Sequence, residues 1–177
     1  MPVLEDAFAF GPENSLLGVL SRPGEGGGAK IACVLPNAGL IYRIGPGRSS
    51  VRFARALAER GIPTLRFDLA GVGDSKHVGE SVEPRRRILD SLRAALDRIE
   101  RDTGIRRFIV VGICSGATNG FHAAVADERI VGVLMYDGFW YRSRWTRAAW
   151  VAKRLRALRP AELIASLRRN WRSLWTR

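Results

Sequence analysis

The sequence predicts an α/β fold, a mostly parallel sheet with helices on both faces, followed by a short basic helical segment. Three observations predict it. Strand-like and helix-like stretches alternate from residue 30 to residue 137, an order that right-handed crossovers convert into a parallel sheet. The strand stretches are unbroken apolar runs such as KIACVLP and RRFIVVGIC, as expected of strands buried on both faces. The stretches between them place apolar residues at helical spacing and close on glycine. With 177 residues, 46% of them hydrophobic and 26% charged, the chain can bury one full core, so one domain is expected.

Taken in order, Leu16 to Leu20 and Lys30 to Leu35 are short apolar runs joined by RPGEGGG, which reads as a hairpin-like connection. Arg48 to Arg60 follows as a helix, with Val51, Ala54, Leu57 and Ala58 on one side and Gly61 as its stop. IPTLRFDLAG is the next strand, ending at an acid and glycines. Glu83 to Thr103 is a long amphipathic helix with Ile88, Leu89, Leu92, Leu96 and Ile99 on one face, closed by Gly104. RRFIVVGIC, then the small-residue helix SGATNGFHAAVA, then RIVGVLMYDG complete the alternation. This places a core over residues 1–140 and a separate basic, Trp-rich lid or tail over 141–177, itself two helices broken at Pro160.

The junction VVGICSGATNG carries the chemistry. Gly112, Cys114 and Gly116 fit the spacing of a nucleophile elbow, a strained turn from strand to helix that lifts a reactive side chain above the sheet. Small residues are required two positions before and two after the nucleophile, because neighbouring backbone comes too close for bulk. Cys114 satisfies that spacing. Ser115 would need Ile113 and Ala117 in the small positions, and Ile113 fits poorly.

Three stretches, VLPNAGLIYRIG, LRFDLAGVGDS and VVGICSGA, resemble the α/β-hydrolase family, and in particular its serine aminopeptidase and lysophospholipase-like branch. Similar chains occur among hydrolases associated with exopolysaccharide synthesis and protein sorting. The resemblance covers roughly residues 14–140. It implies an acyl hydrolase acting on a small ester, thioester or peptide-like substrate without a cofactor or metal, with Cys114 in the position that most members fill with Ser and dienelactone-hydrolase-like members with Cys. A thiolate is a competent acyl nucleophile when its pKa is lowered, which the helix N-terminus at Ser115 favours. The Ser115 N–H would be one oxyanion donor, and an N–H from Ala38, Gly39 or Leu40 the other. Asn37 and Ala38 stand where the family usually has His-Gly. Asp68 and Asp74, in a D-x-x-G-x-G-x-S segment, are expected to hold a loop in shape.

The family orders its machinery as nucleophile, acid, histidine. The chain has two histidines. His122 lies eight residues along the elbow helix, about 12 Å of helical rise from the turn, which places it out of reach. His77, in the loop after the third strand of the resemblance, is the remaining candidate base, and Asp137 the candidate acid. In the family two more strands follow the lid and supply these groups, so the chain reads as a truncated or split hydrolase whose last core strand is a bare sheet edge.

Residues 1–140 hold 18 Lys+Arg against 16 Asp+Glu, and residues 141–177 hold 11 against Glu162 alone. The net charge of +12 is therefore almost entirely a property of the tail. Trp140, Trp145, Trp150, Trp171 and Trp175 among those arginines suit a lid over an acyl pocket, a surface for anionic lipid, or an interface for a complementary chain. The second function class is thus a catalytically silent hydrolase fold acting as a binding module. Nucleic acid is not expected as a partner, since arginine-rich helices without a recognised motif do not specify one. No G-x-x-x-x-G-K-[ST] occurs, and GVGDSK lacks the third glycine of a dinucleotide fingerprint. Two cysteines in apolar runs, no secretory signal and no run of 18 apolar residues suggest a cytoplasmic protein, with the tail offering peripheral attachment at the inner membrane.

Overall fold

The structure, a computed structural model, describes residues 2–24, 28–76, 83–138 and 152. The chain divides into two units, Met1–Phe139 and Trp140–Arg177. Among the described residues six strands form one sheet in the order β1-β2-β4-β3-β5-β6. They are β1 (Val3–Phe10), β2 (Leu16–Pro23), β3 (Ala32–Pro36), β4 (Thr64–Phe67), β5 (Phe108–Ile113) and β6 (Ile130–Tyr136). Three helices connect them: α1 (Ser49–Ala58) between β3 and β4, α2 (Pro84–Thr103) before β5, and α3 (Ser115–Ala126) between β5 and β6. The four strands β4, β3, β5 and β6 are mutually parallel, and β2 runs antiparallel to both β1 and β4. The expected α/β architecture with a mostly parallel sheet is therefore the one found.

Alternation along the strands sorts the apolar residues onto two faces. Ala32 and Val34 of β3, Leu65 and Phe67 of β4, and Phe108 and Val110 of β5 join Leu92, Ala95, Leu96 and Ile99 of α2 in the main core. Cys33 and Leu35 are equally buried but outside that cluster, as are Val51, Ala54 and Ala58 of α1, whose helix packs on β4 and β2. Helix α2 stops at Gly104, which caps it with φ 73°, a left-handed value that costs glycine little.

Two expectations need correction. RPGEGGG does not close a hairpin, because β4 lies between β2 and β3, pairing Gly18 with Phe67 on one side and Pro36 with Phe67 on the other. The hairpin is instead the preceding one, in which β1 pairs over its whole length with β2 around a one-turn 3₁₀ segment at Pro12–Asn14. Strand β1 escapes a periodicity reading because it is an edge strand carrying Glu5 and Asp6. Its real signal is the Gly-Pro-Glu-Asn turn followed by β2. The two charges are then explained by partners: Arg22 donates to Asp6 (2.8 Å), and Glu5 accepts from Ser21 (2.9 Å), Arg55 (3.0 Å) and Arg66 (3.1 Å).

At the opposite edge, β6 pairs only with β5 among the described residues, and its Val131, Leu134 and Tyr136 are exposed. The expectation of a lid or tail over 141–177 falls on residues outside those described, Ala152 excepted. No helix among the described residues is long and apolar enough to cross a membrane.

Candidate active site

Strand order reverses between β3 and β5: the chain passes from β3 outward to β4, then crosses back to β5 and continues outward to β6. In open parallel sheets that reversal leaves a crevice beyond the carboxyl ends of the two central strands. The segments that meet there are Asn37–Arg43 after β3 and the turn at Cys114 after β5. The loop Asp68–Lys76 after β4 and Asp137 after β6 leave the same sheet edge.

Cys114 occupies the turn itself, with φ 53° and ψ −119°, a combination that L-residues adopt only when the surroundings enforce it. The enforcement is visible in the glycines. A Cβ on Gly112 would lie 2.3 Å from the Gly116 carbonyl oxygen and 2.4 Å from the Ala117 nitrogen, so β5 and the first turn of α3 fit together only without it. At Gly116 a Cβ would stand 3.0 Å from the Asn37 carbonyl oxygen, and at Gly120 2.8 Å from Val110 Cγ1. The Cys114 N–H is fixed by the Tyr136 carbonyl (2.9 Å), and its own carbonyl accepts from Ala117 N–H (3.1 Å). Its side chain is left at the helix N-terminus, partly exposed, where the first N–H groups of α3 have no intrahelical acceptor. Cys33 is a different kind of cysteine: buried in β3, its thiol is pushed up to about 11 by loss of solvent.

The loop after β3 is tied down from within. Asn37, 4% exposed, donates through Nδ2 to the Gly39 carbonyl (2.8 Å) and accepts through Oδ1 from Leu69 N–H (3.1 Å). The Ala38 carbonyl accepts from Ile41 N–H (3.0 Å), and Gly39 sits at φ 55°. The Gly39 N–H points across the crevice to Ser115 Oγ at 2.7 Å. Of the three residues expected to offer an N–H, Gly39 is thus engaged by the residue after Cys114, while Leu40 is largely exposed at 89%.

The D-x-x-G-x-G-x-S loop is built around Asp68. Its fully buried carboxylate accepts from Arg43 N–H (2.6 Å), Arg43 Nη1 (2.6 Å) and Asp74 N–H (3.2 Å). Gly73, at φ 58°, leaves no room for a Cβ beside that carboxylate. Ser75 links the loop to β2 by donating to the Asp68 carbonyl (2.8 Å) and accepting from Leu17 N–H (2.9 Å). Sequence reasoning recognised Asp68 and Asp74 as shape-holding but missed Arg43, which bridges both (2.6 Å to Asp74) and so joins this loop to the one after β3.

Asp137 follows β6 directly, exposed and at φ 53°, one residue beyond the carbonyl that holds the Cys114 N–H. Gly138 comes next, where a Cβ would meet Ala117 Cβ at 2.9 Å. His77 lies outside the described residues. His122 is half-buried on α3 and faces Arg85, whose Nη2 donates to its Nδ1 (3.1 Å). Among the described residues no group of three or more His, Cys, Asp or Glu could hold a metal ion.

A family model described as the alpha/beta hydrolase family matches residues 36–177. The chain belongs to the alpha/beta hydrolase family. Solved structures share its fold. A hypothetical protein from Pseudomonas aeruginosa has 24% identity and a TM-score of 0.64 over 77% of this chain and 43% of its own. A cold-adapted esterase from an Arctic intertidal metagenomic library has 24% identity and a TM-score of 0.61 over 75% and 60%. An alpha-beta serine hydrolase homologue from Coxiella burnetii has 18% identity and a TM-score of 0.58 over 73% and 61%. The chain thus spans between two fifths and about three fifths of the length of these structures. None of the curated proteins searched matches the sequence.

Proposed function

We propose that the chain is an acyl hydrolase, with Cys114 as its nucleophile, acting on an ester, thioester or peptide-like bond of a small acyl substrate. The observation that supports this reading is the strained backbone of Cys114 between β5 and α3, held by backbone packed against Gly112 and Gly116. A fold keeps one non-glycine residue in such a conformation where its side chain has to stand clear of the sheet. In the proposed reaction the Cys114 thiolate adds to the acyl carbon and the carbonyl π pair moves to oxygen. The oxyanion is held at the N-terminus of α3, beginning with the Ser115 N–H, and collapse expels the leaving group to give a thioester. Water then adds to the thioester and the thiolate departs. His77 is proposed as the base for these proton transfers and Asp137 as its acid. The reaction so written calls for no cofactor.

A second reading, a catalytically silent fold that binds an anionic membrane surface or a partner chain through residues 141–177, is favoured by one observation. The histidine that is described, His122, is turned to Arg85 rather than to the elbow. Turnover of p-nitrophenyl esters with two to eight acyl carbons separates the readings. The first expects Cys114→Ala to abolish turnover and His77→Ala to reduce it by about 10²-fold or more. Wild-type turnover that survives Cys114→Ala would refute it.

A further inference from the structure

The oxyanion arrangement expected from sequence uses two backbone N–H groups, one from Ser115 and one from the loop after β3. The described geometry sends the Gly39 N–H of that loop to Ser115 Oγ at 2.7 Å. Resting on the acyl-hydrolase reading above, we propose that the Ser115 hydroxyl is itself an oxyanion donor, so that the loop acts on the substrate through this side chain rather than directly.

A serine hydroxyl has two lone pairs and one proton. Gly39 N–H fills one lone pair, and among the described residues no acceptor takes the proton. That proton is free to point at a developing negative charge, and a hydroxyl already accepting a hydrogen bond donates more strongly. Ser115 is the first residue of α3, so its N–H and its hydroxyl leave one residue at the positive end of the helix dipole. They do so immediately after the residue that attacks.

The relay also explains why the loop is so firmly built. Asn37 clamps the Gly39 carbonyl and is clamped in turn by Leu69 N–H, while the Ala38 carbonyl, in the same peptide plane as the Gly39 N–H, accepts from Ile41 N–H; the two peptide planes so held fix the direction of the Gly39 N–H and hence the rotamer of Ser115. It makes sense, too, of the serine that follows the turn. The elbow spacing places no demand on the side chain at position 115, yet this one closes a hydrogen-bonded path from β3 to the nucleophile.

In the step assigned to it, Cys114 Sγ bonds to the acyl carbon and the carbonyl π pair becomes an oxyanion. That oxygen accepts from Ser115 N–H and Ser115 Oγ–H without taking either proton. With p-nitrophenyl acetate, collapse restores the carbonyl and expels p-nitrophenolate as the anion, leaving acetyl-Cys114.

The test measures two rates on the full chain, acylation by p-nitrophenyl acetate in a stopped-flow burst and alkylation by iodoacetamide. Alkylation displaces iodide at a saturated carbon and forms no oxyanion, so it reports the thiolate alone. Ser115→Ala is expected to slow acylation by about 10²-fold with little change in the ester concentration at half-saturation, and to leave alkylation within about twofold. Ser115→Thr, which keeps the hydroxyl, is expected to recover most of the acylation rate. Unfolding midpoints of both variants establish that the comparison is between folded proteins. A Ser115→Ala acylation rate equal to or above wild type would overturn the proposal, since the hydroxyl would then only occupy the Gly39 N–H. Parallel loss of acylation and alkylation would overturn it as well, by making Ser115 a support of the turn. Wild type that alkylates but acylates no faster than unfolded chain would remove the acyl-hydrolase reading and this proposal with it.

Discussion

Replacing Gly112 by alanine tests the claim that the turn at Cys114 is built by steric exclusion. The new Cβ would sit 2.3 Å from the Gly116 carbonyl oxygen and 2.4 Å from the Ala117 nitrogen, so separation to ordinary contact requires a shift of about 1 Å. The atoms it meets are backbone, which cannot rotate aside. Helix α3 would have to lift from β5, breaking the approach of Gly120 to Val110 and of Gly116 to Asn37. Overpacking a close-packed contact typically costs about 1–3 kcal/mol, and loosening the rest of α3 places Gly112→Ala at the upper end, about 3 kcal/mol. With a urea dependence of about 2 kcal/mol per molar, the midpoint falls by about 1.5 M. Gly132→Ala is the matched control. It is also a strand glycine, but its Cβ would meet Ile109 Cγ1 at an ordinary 3.6 Å, and a change within about 0.5 kcal/mol is expected. Urea unfolding followed by circular dichroism reads both. Equal midpoints for the two variants would refute the argument that backbone proximity sets the elbow.

Three further outcomes follow from the same structure. Cys114→Gly should raise stability by about 1 kcal/mol while removing the thiol, because glycine relieves the φ 53° strain that a side chain incurs there; an unchanged or lowered unfolding midpoint would contradict this. Arg43→Ala should cost about 3 kcal/mol, since it strips Asp68, fully buried, of its cation, and a midpoint shift below that of an average surface substitution would count against the bridge. The Glu5 carboxyl is held down at about 2 chiefly by Arg55, with Ser21 and Arg66 adding to it and burial opposing. Its folded value lies below the ordinary 4.5, so its contribution is complete above about pH 4.5 and fades as pH falls toward 2. Allowing for solvent screening this is worth about 1–2 kcal/mol in full, a little over half of which is lost by pH 3, so wild type should lose about 0.6–1.2 kcal/mol more than Glu5→Gln between pH 6 and pH 3; parallel pH profiles would contradict it.

The tight turn at Cys114 was legible in the sequence because its constraint is local and steric. A turn that admits no Cβ at two fixed offsets writes Gly112 and Gly116 into the chain, and the same offsets exclude Ser115 from the turn. The alternation of β3 to β6 with α1 to α3 was legible for a related reason, since burial on both faces leaves apolar runs that glycines punctuate. What escaped notice depends on partners far away in sequence. Arg43 is one arginine in a loop until Asp68 and Asp74 fold onto it, 25 and 31 residues away. Strand β1 looks polar until Arg22, Arg55 and Arg66 arrive to pair its acids. The sheet order β2-β4-β3 is equally non-local, which is why a glycine-rich link between two strands was read as a hairpin. The engagement of Gly39 by Ser115 depends on side-chain direction across a crevice, something that spacing along the chain does not encode.

The central claim is that the fold presents Cys114, and not Ser115, as an acyl nucleophile. Mixing the full chain with p-nitrophenyl acetate, quenching in acid and mapping the acetyl group by peptide mass spectrometry tests it most directly. The account predicts an acetyl thioester on Cys114, discharged by neutral hydroxylamine, with Cys33 untouched because burial keeps its thiol protonated. An acetyl ester on Ser115, or labelling of Cys114 no faster than in the urea-unfolded chain, would contradict it.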